Sequence, residues 1–295
     1  MTSPSGVRLW VAGARPRTLP AAIVPVAVGA ACATGAPGVA WWRVALTAVV
    51  SLALQVGVNY ANDYSDGVRG TDTERVGPLR LVGSGLVEAS RVRRAAVASL
   101  LVACVAGSVL ALLTTLWLVV VGIAAVLAAW FYTGGPRPYG YAGLGEVFVF
   151  VFFGLVATVG TTYVLCSGLP AGSWWAGSAA GCLSCALLVV NNLRDIPGDT
   201  VSGKRTLAVR IGDRRTRVLF VGLFAAAAVF VVMAALATGP STLLGLVGVL
   251  AAVPAIRGVL GGAKGPALVA VLGAVGRAQL VFGTTCAVGI ALALA

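Results

Sequence analysis

Nine apolar stretches follow one another along this chain, near residues 19–36, 43–62, 93–113, 116–132, 146–165, 173–193, 217–237, 241–260 and 275–294. About 20 apolar residues in a helix cross the hydrocarbon core of a bilayer, and inside that core every backbone amide must find its partner within its own segment. The pattern predicts an all-α integral membrane protein with nine transmembrane helices. With 59% hydrophobic and only 10% charged residues, the sequence leaves no stretch for a soluble domain, so residues 1–295 are expected to form a single membrane-embedded unit.

Charge gives these segments a direction. Lys and Arg collect in cytoplasmic connections, and 20 of the 21 basic residues fall in the N-terminus or in the connections after the second, fourth, sixth and eighth stretches; Arg43 alone lies on the other side. The N-terminus is therefore expected in the cytoplasm of a cell membrane and the C-terminus outside. All nine acidic residues share the inner side, which the orientation rule does not require. The net charge of +12 suits a lipid bilayer with anionic headgroups and anionic substrates, and no nucleic-acid motif is present. The absence of histidine excludes His-ligated haem, His-containing zinc sites and a His general base. Six cysteines in or beside apolar stretches read as small packing residues. "MTSPSGVRLWVAGARPRTLP" lacks the features of a removable signal.

Two clusters carry the chemistry. In "LALQVGVNYANDYSDGVRGTDTE", Gln55, Asn59, Asn62, Asp63 and Asp66 recur at spacings of three and four, one stripe of a helix. Carboxylates are costly in mid-bilayer, which places Asp63 and Asp66 at the cytoplasmic end or in a wet cavity. Gly67 and Gly70 end the helix and leave Asp72 on a loop. The second copy, "LLVVNNLRDIPGDTVSGKRTLAVRIG", ends an apolar helix with Asn191 and Asn192 and places Asp195 and Asp199 on a turn permitted by Pro197, Gly198 and Gly203. Asn62 and Asn192 are 130 residues apart, suggesting two four-helix units plus a ninth helix. Oxygen-rich sites recruit magnesium, which bridges carboxylates to the oxygens of a diphosphate. Arg69, Arg75, Arg80, Lys204 and Arg205 lie in the same connections and can donate to the remaining oxygens. A solvated acidic cap on two helices is the competing reading.

N-D-x-x-D at 62–66, with Asp72 downstream, and D-x-x-x-D at 195–199 resemble the paired Asp-rich motifs of the UbiA-type intramembrane aromatic prenyltransferase superfamily. "ARPRTLPAAIVPVAVG" (14–29), "NYANDYSDGVRGTD" (59–72), "FYTGGPRPYGYAGLGE" (131–146) and "NNLRDIPGDTVSGKRTLAVRIG" (191–212) are similar to its 1,4-dihydroxy-2-naphthoate polyprenyltransferase branch, from bacterial menaquinone synthesis. The last three helices match only as apolar spans. The resemblance implies nine helices around a central cavity that opens to lipid under a cytoplasmic cap. It implies transfer of a polyprenyl group from polyprenyl diphosphate to 1,4-dihydroxy-2-naphthoate, with loss of carbon dioxide and diphosphate, giving demethylmenaquinone.

Carried onto this chain, the resemblance makes Asp63, Asp66, Asp195 and Asp199 the catalytic metal-holding set, with Asp72 as a further magnesium ligand. Asn59, Asn62, Asn192, Arg69, Lys204 and Arg205 would face the diphosphate. Tyr132, Arg137, Tyr139 and Arg15 would meet the aromatic acid, with interfacial anchoring as the competing reading of each. A different acceptor such as a hydroxybenzoate, or a secondary transporter built on a pseudo-repeat, stands as the alternative.

Overall fold

The computed structural model describes residues 6–70 and 79–295. Asp72 and Arg75 lie outside the described residues. Those residues form helices and turns throughout: α1 (Val7–Gly13), α2 (Pro20–Ala31), α3 (Arg43–Val68), α4 (Ala89–Leu113), α5 (Trp117–Phe131), α6 (Gly145–Val149), α7 (Ala157–Cys166), α8 (Ala171–Val201), α9 (Leu207–Thr238), α10 (Gly245–Leu250), α11 (Val253–Leu260) and α12 (Pro266–Leu294). A π-helical segment, Phe150–Val156, joins α6 to α7 in one continuous rod.

Among the described residues, six helices are long and apolar enough to cross a membrane: α3, α4, the rod from Gly145 to Cys166, α8, α9 and α12. The segments Pro240–Leu250 and Val253–Leu260 together make a seventh, bent by 40°, and α2 and α5 are shorter apolar helices. The nine full spans expected from hydropathy are thus unequal. α2 has 12 residues, about 18 Å at 1.5 Å per residue, short of a ~30 Å hydrocarbon core.

Three boundaries place charged residues on helix beyond the sequence expectation, whereas α2 ends at Ala31, short of the expected 36. α8 continues through Pro197 to Val201, so Asp195 and Asp199 stand on helix rather than on a turning loop. Proline costs α8 one backbone hydrogen bond, the one its own N–H would give to the Leu193 carbonyl, and the helix continues past it, with the Thr200 hydroxyl donating to the Ile196 carbonyl at 2.7 Å. α9 starts at Leu207, with a bend at Gly212 (φ 78°) that only glycine adopts easily. α12 starts at Pro266, which puts Arg277, expected in a loop, on a helix.

α8 is the axis of the core. Its small residues Ala176, Ala179, Ala180 and Ala186 are buried with Val28 of α2, Phe220 and Ala227 of α9 and Phe282 of α12. Small side chains let helices approach closely where lipid removes the hydrophobic drive. The tightest approach is to the π-helical segment: a Cβ on Gly154 would lie 2.6 Å from the Gly181 Cα. Arg43, the outlier of the charge pattern, begins α3 at the opposite end. It donates to the Val164 carbonyl (2.9 Å) and to the Leu113 carbonyl (3.1 Å), which belong to the last turns of α7 and α4. Those carbonyls have no partner within their helices and carry the negative end of the helix dipole, so Arg43 serves as a cap.

Candidate active site

One cavity of about 1050 Å³ runs between α3, α5, the rod from α6 to α7, and α8. Its polar end is built by two helix stripes. On α3, Gln55, Asn59, Asn62 and Asp66 face it, followed by Arg69 at the helix end. Asn59 ties this stripe to the N-terminal segment: its Nδ2 donates to the Ala14 carbonyl (2.9 Å) and to the Thr18 hydroxyl (3.1 Å). Asp63 does not line the cavity. It is fully buried and accepts the backbone N–H of Leu81 (2.8 Å) and of Val82 (3.0 Å), pinning the chain that enters α4. On α8, Asn191, Asn192, Asp195 and Asp199 face the same cavity. Arg194 clasps Asp195 through Nε and Nη2 at 2.7 and 2.8 Å.

The stripes meet through Lys204. Its backbone N–H donates to the Asp199 carbonyl (2.8 Å), while its Nζ reaches Asp66 Oδ1 at 3.0 Å. Asp66 also accepts the Tyr141 hydroxyl at 2.5 Å and lies 3.5 Å from Arg80 Nη2. Tyr141 is held in turn by cations: Lys204 Nζ is 4.8 Å and the Arg69 guanidinium 5.3 Å from its ring centroid. Burial first, then the charge of Asp66, pushes the Tyr141 phenol above the ordinary tyrosine range, so it stays a hydrogen-bond donor. Arg15, Arg69, Arg80, Arg194 and Lys204 line the cavity with Asp66, Asp195 and Asp199. Among the described residues cations outnumber carboxylates there, which favours an anionic ligand.

Away from this end the wall turns apolar and aromatic. Tyr139 stacks on Phe148 with centroids 3.9 Å apart, Phe148 continues to Phe152 at 6.2 Å, and Tyr132 meets Tyr139 edge-on at 5.5 Å. The Tyr139 hydroxyl donates to the Ala128 carbonyl at 2.8 Å. Leu54, Val58, Val121, Ala125, Val156 and Gly160 continue the apolar lining of the cavity.

Of the sequence-predicted residues, the structure brings Asn59, Asn62, Asp66, Arg69, Tyr132, Tyr139, Arg15, Asn192, Asp195, Asp199 and Lys204 to this cavity. Arg69 is also engaged with the Thr133 and Gly135 carbonyls. Asp63 is turned away, and Arg137 and Arg205 are exposed outside the cavity wall. Arg205 uses its backbone N–H on the Tyr141 carbonyl (3.0 Å), which directs the neighbouring Lys204 inward. Tyr141, Asn191, Arg194, Phe148 and Phe152 belong to the site and were not assigned to it. Asn191 had a signal in the sequence, since it precedes Asp195 by four residues as Asn62 precedes Asp66.

The donors facing the cavity fit a hard divalent cation such as magnesium: carboxylate and amide oxygens, without cysteine or histidine. Among the described residues no three carboxylates converge into a preformed cage, and basic side chains stand between them.

Known proteins resemble this chain in sequence and in fold. The description UbiA prenyltransferase family matches residues 22–266. The chain is 51% identical over 277 residues to the 1,4-dihydroxy-2-naphthoate octaprenyltransferase of Mycobacterium tuberculosis, covering 92% of this chain and 93% of that protein. It is 37% identical to the enzyme of the same name from Escherichia coli, over 72% and 71% of the two chains. A UbiA homolog from Archaeoglobus fulgidus solved with GPP and Mg2+ superposes with a TM-score of 0.62 at 16% identity, covering 96% and 99% of the chains. The apo UbiA homolog of Aeropyrum pernix gives 0.67 at 16% identity, over 92% and 97%. With the family match spanning most of the sequence and a relative 51% identical along nearly its whole length, the chain belongs to the UbiA prenyltransferase family.

Proposed function

We propose that this protein transfers a polyprenyl group from polyprenyl diphosphate to 1,4-dihydroxy-2-naphthoate, releasing carbon dioxide and diphosphate and forming demethylmenaquinol, the hydroquinone form of demethylmenaquinone. The observation that carries this reading is the ion pair between Lys204 and Asp66, which draws the two Asp-bearing helix ends to one polar mouth above an apolar cavity. The names of the Mycobacterium tuberculosis and Escherichia coli relatives support the acceptor.

Asp66, Asp195 and Asp199, with amide oxygens beside them, are the residues that would hold magnesium; Asp63 is spent on backbone amides, and Asp72 is retained from the motif alone. Bound there, magnesium neutralises diphosphate charge and makes it a better leaving group. Lys204, Arg80 and Arg69 stand where they can donate to phosphate oxygens. The allylic carbon–oxygen bond then breaks with its electron pair leaving on the diphosphate. Tyr132, Tyr139, Phe148 and Phe152 line the cavity, where ring faces can stabilise the cation that remains. The apolar wall excludes water from that cation and takes the tail. The electron-rich ring carbon that carries the carboxylate attacks it, and the ring–carboxylate bond breaks to release carbon dioxide, its electron pair restoring the aromatic dihydroxy ring; Arg15, in the cavity wall, is placed to receive that carboxylate before it leaves.

In this reading the chain is one membrane-embedded unit in which α2, α5 and the bent pair complete nine crossings. The Asp-bearing ends face the cytoplasm and the C-terminus lies outside. Membranes containing the protein should convert 1,4-dihydroxy-2-naphthoate and a polyprenyl diphosphate to the prenylated quinone precursor, and chelating magnesium should stop the reaction. Prenylation of hydroxybenzoate in place of the naphthoate, or product formation in full without divalent metal, would overturn the assignment.

A further inference from the structure

We infer that Glu146 is a positioning residue that makes the two matched asparagines chemically unlike: through it Asn192 presents its carbonyl oxygen to the cavity, whereas Asn62 presents its amide NH2.

Glu146 sits in the first turn of α6, buried and outside the cavity wall. Its Oε1 accepts Asn192 Nδ2 at 3.0 Å. A side-chain amide carries its NH2 and its oxygen on opposite sides of one planar group, so holding Nδ2 on Glu146 leaves Oδ1 toward the cavity that Asn192 lines. The contact is braced from both sides. Cys185 Sγ donates to the Glu146 backbone carbonyl at 3.1 Å, and the Gly154–Gly181 approach holds the segment after α6 against α8. The other carboxyl oxygen, Oε2, is buried with no hydrogen-bond partner among the described residues. Such a group is costly to keep, and packing alone would favour an apolar residue of the same shape.

On α3 the polarity is reversed. The Thr133 hydroxyl donates to Asn62 Oδ1 at 2.8 Å, which leaves Nδ2 as the end of that amide on the cavity side. The first motif therefore adds a donor suited to a phosphate oxygen. The second adds an oxygen beside Asp195 and Asp199, three and seven residues on along α8, suited to a cation.

This assignment rests on the diphosphate and divalent-cation reading above, and it is tested with metal alone as well as by turnover. Mn2+ binding to the purified full-length protein is followed by electron paramagnetic resonance, with kcat and KM for the polyprenyl diphosphate measured alongside. Glu146→Gln offers both a donor and an acceptor to Asn192 and no longer dictates its orientation. It should weaken Mn2+ binding about tenfold, as loss of a group that orients a ligand does, with a melting temperature matching wild type. Adding Asn192→Asp restores the pairing with the roles exchanged, glutamine donating to the new carboxylate, and keeps an oxygen on the cavity. The double variant should therefore recover Mn2+ affinity to within about threefold of wild type.

Wild-type affinity in Glu146→Gln, or no recovery in the double variant, would overturn the inference while leaving prenyl transfer by the wild type intact. A wild-type protein that neither binds Mn2+ nor transfers prenyl groups would overturn the functional reading, and this one with it.

Discussion

Asp66→Asn should reduce kcat/KM for prenyl transfer by roughly 10³ or more, about 4 kcal/mol of transition-state stabilisation. Asp66 is the residue on which the site converges: Tyr141 donates to it, Lys204 pairs with it from the far motif, and Arg80 approaches it from the chain before α4. Asparagine keeps the shape of the side chain and one acceptor oxygen but removes the charge. A carboxylate that helps hold a divalent cation against a leaving diphosphate is lost with that charge, and the nearby cations lose the anion that holds them apart. Activity should therefore fall far more than the yield of folded protein, and steady-state kinetics beside a melting curve measures both. A variant that retains most of its turnover would remove Asp66 from the chemistry.

Asp63→Ala should fail in a different way, although Asp63 stands only three residues from Asp66. Its carboxylate is fully buried and satisfies two backbone amides, those of Leu81 and Val82. Alanine strands both donors away from water at roughly 1–3 kcal/mol each, and the expected loss of stability is about 3–4 kcal/mol. The melting temperature should drop by several degrees, and Asp63→Asn, which keeps one acceptor, should fall between alanine and wild type. Activity should decline as a consequence, because Arg80 precedes Leu81 and depends on the same backbone. If Asp63→Ala instead melts like wild type and loses only its affinity for metal, Asp63 is a ligand, as the motif resemblance implies, and the backbone-anchoring role is wrong.

The contrast between these two residues shows how far the sequence could be read. Helical periodicity gives the stripe Gln55, Asn59, Asn62, Asp63 and Asp66, from which the structure removes Asp63, while Asp195 and Asp199, expected on a turn, stand with Asn191 on one face of α8. Asp63 follows Asn62 by one residue, a turn of about 100° around the helix. Whether such an edge position faces the cavity or the chain beside it depends on what packs there, and the partner proves to be the backbone at 81–82. Pro197 is a helix-stopping signal that the buried length of α8 overrides, since a proline removes one hydrogen bond from a helix otherwise held by its core contacts. In the connection after α5, nothing in "GGPRPYGYAG" says that Tyr141 turns inward and Arg137 outward, because loop directions are set by tertiary contacts. Likewise Lys204 and Arg205 look alike in sequence, and a single backbone bond from Arg205 to Tyr141 separates their roles. Glu146 acquires meaning only from Asn192, 46 residues away along the chain.

An experimental structure with magnesium and a non-hydrolysable polyprenyl thiodiphosphate tests the central claim most directly. The account predicts the diphosphate between Asp66 of α3 and the Asp195–Asp199 face of α8, with Lys204 and Arg80 turned onto its oxygens and the tail along Phe148 and Phe152. A diphosphate held by one of the two helices alone, or seated outside this cavity, would contradict it.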